Sequence, residues 1–166
     1  MENQEKNVLQ METVQLDDAN DEVIIIDQTL LPNENKYLHL KTPKDVWVAI
    51  YELQVRGAPA IGIAAAYGIY ISVKNSKATD YDSFYEEFKK VKEYLASSRP
   101  TAVNLFWALD RMEKCVKDNK DKSVKEIIEA LHKEADEIKA EDIWVCKTIG
   151  EYGLSLVKPN IGILTH

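Results

Sequence analysis

The sequence predicts an α+β fold: a small antiparallel β-sheet, then a helical domain, then the opening strand of a further sheet. Three observations carry this reading. Val23-Ile24-Ile25-Ile26 is a β-branched run bounded by turn residues; apolar stripes at helical spacing recur from Val46 to Ile138; and Ile161 to Thr165 is a short apolar run set off by Lys158-Pro159-Asn160. With 166 residues the chain suits one domain, or one domain plus the beginning of another. A core of this size needs no metal or disulfide to hold it.

Residues 1–10 read as a disordered leader, and residues 11–157 as the main domain. Met11 to Leu16 and Glu22 to Asp27 form a hairpin across the turn Asp17-Asp18-Ala19-Asn20-Asp21. Leu31-Pro32-Asn33-Glu34-Asn35 turns the chain again, and Tyr37 to Leu40 makes a third strand, so the sheet covers residues 11–40. The helices then occupy residues 43–157. Thr42-Pro43-Lys44-Asp45 starts the first: Thr42 can cap, Pro43 suits the first helical position, and Asp45 suits the first turn. The second helix, Pro59 to Val73, is rich in small residues. The third, Tyr81 to Ala96, turns Phe84, Phe88, Val91 and Leu95 to one side. The fourth, Thr101 to about Val116, is expected to bury Val103, Phe106, Leu109 and Met112. Ser123-Val124-Lys125-Glu126 has the pattern of a capping box and opens a long fifth helix, with a break expected near Glu141-Asp142. Trp47, Trp107 and Trp144 are read as core residues. Residues 158–166 read as a buried strand, which needs partners on both sides and so implies a parallel sheet continued elsewhere.

Twenty-one basic against 28 acidic residues leave a formal charge of −7, which argues against nucleic acid or an anionic membrane as the main partner. A small basic site for one anion stays compatible with that balance. Cys115 and Cys146 form no Cys-x-x-Cys pair, so no zinc site is implied, and both are read as packed, reduced thiols of a cytoplasmic protein. The N-terminus is polar, and no apolar run reaches the ~20 residues that cross a bilayer.

Two corners stand out for anion chemistry. In Val55-Arg56-Gly57-Ala58-Pro59, Gly57 lets the chain turn and lets a ligand approach, Pro59 begins a helix, and the free amides at that helix start favour an anion. Arg56 adds a planar cation suited to phosphate oxygens. Ser97-Ser98-Arg99-Pro100-Thr101 repeats the grammar, with Asn104 one turn further on. On spacing alone the plainer account stands at both corners: Gly57 as a helix-ending turn, and Arg56 and Arg99 as solvated charges. Asp27-Gln28-Thr29 is read as a polar strand end, and His39 and His132 as surface residues. No Gly-x-Gly-x-x-Gly, Ser-His-Asp or paired-carboxylate arrangement is present.

Asp27-Gln28-Thr29-Leu30-Leu31-Pro32, Val55 through Gly68 and Arg99 through Leu105 together resemble the methylthioribose-1-phosphate isomerase family, shared with regulatory subunits of translation initiation factor 2B. The resemblance covers Met11 to His166. It implies an aldose–ketose isomerisation of 5-methylthioribose 1-phosphate in methionine salvage, with no metal or organic cofactor, and a homodimer for the complete protein. Alternatives are a non-catalytic regulatory subunit, or an isomerase of another ribose 1-phosphate such as a 5-deoxyribose. Carried over by motif, Arg56, Gly57, Ala58 and Arg99 would bind substrate. The resemblance also implies that residues 158–166 open a Rossmann-like domain, and that the segment ending at His166 runs on into a catalytic cysteine, with a catalytic aspartate beyond. Neither cysteine of this chain matches that position, so no catalytic residue is expected within it and the chain by itself is expected to be inactive.

Overall fold

The β-branched run does form the centre of a sheet. In a computed structural model that describes residues 11–164, β1 (Val14–Asp17), β2 (Glu22–Ile26) and β3 (Tyr37–Leu40) pair antiparallel in the order β1-β2-β3. The register sets Val14 opposite Ile25 and Asp17 opposite Glu22, and on the other side Val23 opposite Leu40. Val23 and Ile25, two apart and so on one face, are fully buried. The expected leader at residues 1–10 lies outside the described residues, as do Thr165 and His166.

Among the described residues five helices follow: α1 (Pro43–Tyr51), α2 (Ala58–Val73), α3 (Tyr81–Ala96), α4 (Val103–Asp118) and α5 (Val124–Leu154). α2 is the axis of the domain. Twelve of its 16 residues are buried, which fits a helix apolar all round, and it touches α1, α3, α4, α5, β1 and β2. Its small residues allow the close approach. A Cβ added at Gly68 would lie 2.7 Å from Val46 Cγ1 of α1, and one added at Gly62 would lie 3.1 Å from the Asn104 carbonyl oxygen of α4. The two tyrosines of α2 keep their hydroxyls paired: Tyr67 donates to Asp136 of α5 at 2.9 Å, and Tyr70 to Asp18 of the hairpin turn at 2.7 Å.

The structure corrects several expectations. α4 begins at Val103, and its buried stripe is Leu105, Ala108, Leu109, Met112, Cys115 and Val116. Val103 is 78% exposed and Phe106 lies outside the core, because the helix turns the face running from Leu105 through Leu109 and Met112 onto α2. α5 runs unbroken through Glu141-Asp142 to Leu154, since nothing there removes a backbone donor. Trp107 and Trp144 are exposed, while Trp47 is half-buried on α1, where its indole N–H donates to Ser97 at 2.9 Å. Cys115 is buried, but Cys146 is exposed. Ile161–Leu164 stands open to solvent, and the strands expected to flank it are not among the described residues.

Candidate functional site

The five helix starts fall into two groups. α1, α3 and α5 are closed by their own side chains. Thr42 and Asp45 form a capping box on α1, Asp80 accepts from the Ser83 amide on α3 at 2.9 Å, and Ser123 and Glu126 form a second box on α5. α2 and α4 have no side-chain cap: their N-cap residues are Gly57 and Ala102, which carry no acceptor. The leading amides of Ala58 and Ala60 on α2 and of Val103 and Asn104 on α4 therefore remain open as donors at the positive end of each helix, while the Leu105 amide turns back onto the Ala102 carbonyl at 3.0 Å. Pro59 contributes no amide at α2.

These two uncapped ends meet. Gly57, Ala58, Ile61, Arg99, Ala102, Val103, Asn104 and Leu105 line one cleft of about 410 Å³. The lining holds one cation, one amide side chain and the backbone of two helix starts; the rest is apolar. It is the composition of an anion seat rather than of an acid–base centre. Three of the four residues singled out from sequence, Gly57, Ala58 and Arg99, are brought together here, with Asn104 beside them. Arg56 is not: it is exposed next to Gly57 and does not line the cleft. Ile61, Ala102, Val103 and Leu105 escape a reading of the sequence because apolar residues announce a site only once the helices that hold them are seen to meet.

Each corner is braced from behind. Gly57 takes φ +91°, a conformation glycine adopts freely. The chain leading to it is pinned where the buried Val55 donates its amide to the Ala49 carbonyl at 3.1 Å, and where the Gln28 amide donates to Gln54 at 2.9 Å. Gln28 is itself held by the turn that Asp27 organises, accepting from the Thr29 amide at 3.0 Å and the Thr29 hydroxyl at 2.6 Å. The Asp27-Gln28-Thr29 segment is thus a brace. On the other side Ser98 is buried with its hydroxyl donating to Leu95, and the Ala102 amide closes a turn onto the Arg99 carbonyl at 3.0 Å. Between the corners, Gly62 lets the start of α4 press against α2.

Cys115, Cys146, His39 and His132 lie apart from the cleft. Burial, with Glu134 and Asp118 nearby, pushes the Cys115 thiol up to about 11, so it is an un-ionised core group rather than a nucleophile. His39 contacts Glu22 across β2 and β3 at 2.5 Å, and His132 stacks on Tyr70 with ring centroids 4.7 Å apart. No cluster of three or more potential metal-ligating side chains exists among the described residues. No helix there is long and apolar enough to cross a membrane.

A family model for the Initiation factor 2 subunit family matches residues 54–166. A methylthioribose-1-phosphate isomerase of Symbiobacterium thermophilum is 60% identical over 157 residues, covering 95% of this chain and 44% of that protein. A 5-deoxyribose 1-phosphate isomerase of Petrotoga mobilis is 54% identical over 153 residues, covering 92% of this chain and again 44% of the relative. The chain thus spans less than half the length of these relatives. Among solved structures, 5-methylthioribose 1-phosphate isomerase of Pyrococcus horikoshii superposes with a TM-score of 0.82 at 39% identity, covering 87% of this chain and 40% of that one. The delta subunit of translation initiation factor eIF-2B from A. fulgidus superposes with a TM-score of 0.80 at 35% identity, covering 90% and 43%.

Proposed function

This chain belongs to the Initiation factor 2 subunit family, and from that premise we propose that it supplies the phosphate-holding corner of an aldose–ketose isomerase acting on 5-methylthioribose 1-phosphate. The observation that carries the reading is the convergence of Arg99, Gly57 and Ala58 with two uncapped helix starts on one cleft. A phosphate dianion there would accept from the open amides, lie at the positive ends of two helices and pair with the Arg99 guanidinium. Arg56, exposed at the approach, would close over the ligand once it is seated.

The chemistry explains why such a grip matters. The phosphate on C1 blocks spontaneous opening of the ribose ring, so the ring must open with the phosphate attached. Net isomerisation then moves the C2 hydrogen to C1, while the C2 hydroxyl proton is lost and O4 gains one as the C1–O4 bond breaks. A fixed phosphate holds C1 and C2 in place through both changes and stabilises charge developing beside them. The cleft lining contains no carboxylate, thiol or imidazole. As the resemblance to the isomerases implies, the proton transfers fall to a cysteine and an aspartate carried by the part of the protein that lies outside this chain, in a Rossmann-like domain that the segment at residues 158–166 opens. On this reading the complete protein acts as a cytoplasmic homodimer.

The same lining gives a second reading some support, a subunit that binds a phosphorylated ligand without turning it over, as fits the likeness to the eIF-2B subunit. Turnover decides between them. The complete gene product is expected to convert 5-methylthioribose 1-phosphate to its ketose, seen as a shift of the phosphorus resonance, and the 166-residue chain alone to give none. A complete protein that binds the sugar phosphate without converting it would overturn the isomerase reading. Full turnover by the isolated chain would overturn the division of labour.

A further inference from the structure

A second cleft adjoins the anion seat. It measures about 340 Å³ and is lined by Pro59, Ile63, Val103, Asn104, Trp107, Ile138, Glu141, Asp142 and Val145. Val103 and Asn104 border both clefts, so the two form one continuous groove. From the shared border the second cleft runs on along the helices: its lining steps from Val103 to Trp107 on α4 and from Pro59 to Ile63 on α2, four residues in each case, or one helical turn of ~5.4 Å. The third wall is a single face of α5, since Ile138, Glu141, Asp142 and Val145 stand at i, i+3, i+4 and i+7.

Resting on the isomerase reading above, we propose that this second cleft receives the 5-substituent of the sugar phosphate and that Trp107 sets which substituent is preferred. One turn of helix is the scale of a pentose: with its phosphate on the uncapped helix ends, the sugar spans the shared border and its far carbon enters the second cleft. That cleft offers apolar surface which a ligand can cover, with Trp107 47% and Val145 43% exposed. Its acidic rim is partly neutralised, because Glu141 is engaged by Arg111, whose Nη2 donates to it at 2.9 Å. The Arg111 guanidinium also sits 5.5 Å from the centre of the Trp107 ring, so a salt-bridged cation holds the indole in place. A thioether is soft and polarizable and packs well on aromatic rings; a methylthio group thus gains more from this wall than a bare methyl does.

The test compares kcat/KM for 5-methylthioribose 1-phosphate and 5-deoxyribose 1-phosphate in the complete gene product. Trp107→Ala is expected to lower the methylthio value at least tenfold more than the deoxy value. Val145→Phe, which fills the cleft from the α5 side, is expected to shift preference the same way and serves if Trp107→Ala does not fold. Equal losses for both sugars, or an unchanged ratio in both variants, would overturn the proposal. Equal losses joined to a lower melting temperature would mark the groove as a surface covered by polypeptide instead. If the unmodified protein converts neither sugar, the isomerase reading itself fails and takes this proposal with it.

Discussion

The starts of α1, α3 and α5 and the starts of α2 and α4 pose the same physical problem and answer it differently. Each helix leaves its leading amides without intrahelical partners. Thr42 with Asp45, Asp80, and Ser123 with Glu126 satisfy some of theirs from within. Gly57 and Ala102 do not, and the two ends they leave open are the two that share a cleft with Arg99. A side-chain cap contributes roughly 0.5–2 kcal/mol to a helix. Its lack at both positions facing one cavity is what stability forgone for binding looks like. The difference suggests a rule for helical domains that the proposed reading follows: open helix starts receive the ligand, and closed ones belong to the scaffold.

The largest expected effect lies at the open ends. Arg99→Ala in the complete protein should reduce kcat/KM by about 1.5–3 kcal/mol, or roughly 10- to 150-fold, by removing a charged hydrogen-bonding partner of the phosphate. Its melting temperature should barely move, as Arg99 is half-buried at a loop and the fold is held elsewhere. Gly62→Ala comes next. The added methyl would meet the Asn104 carbonyl at 3.1 Å and Ala108 at 3.5 Å, and overpacking of this kind costs about 1–3 kcal/mol. Because the displaced atoms belong to the start of α4, stability and ligand affinity should fall together. At a closed end the two quantities should separate. Ser123→Ala is expected to cost about 1 kcal/mol in thermal or urea unfolding while leaving kcat/KM unchanged.

The smallest effect is a slope in pH. Although burial raises it, hydrogen bonds from Lys117, Lys92 and Tyr85 hold the Glu113 carboxyl down to about 2, against an ordinary value of 4.5. A depressed carboxylate contributes stability that is complete above its unfolded value and is lost as pH falls through the folded one. The melting temperature should therefore decline between about pH 4.5 and pH 2, and Glu113→Gln should flatten part of that decline. A slope left intact in the variant would assign acid sensitivity to other groups.

Much of this architecture is legible in the order of the residues. The run Val23 to Ile26, the Thr42 and Ser123 starts and the stripe of α3 each follow from local rules, because propensity, period and capping act over a few residues. The two arginine corners are visible by the same local grammar. What resists is whatever depends on distant elements meeting. Val103, Phe106 and Trp107 look like core residues in isolation, and only the angle at which α4 lies on α2 turns them outward. The meeting of the corners is likewise tertiary: residues 57 and 99 share a cleft because Gly62 permits close helix contact. Arg56 misleads in the opposite sense, since adjacency to Gly57 along the chain does not carry its side chain into the lining.

The most direct test closes an open end. Ala102 has the extended backbone of an N-cap residue, with φ −81° and ψ 94°, so Ala102→Asp should cap α4 and raise the melting temperature by a few degrees. The same carboxylate would occupy the donors meant for phosphate and repel it, so kcat/KM of the complete protein should collapse as stability rises. A protein that became more stable with its activity intact would show that the open helix starts do not hold the phosphate.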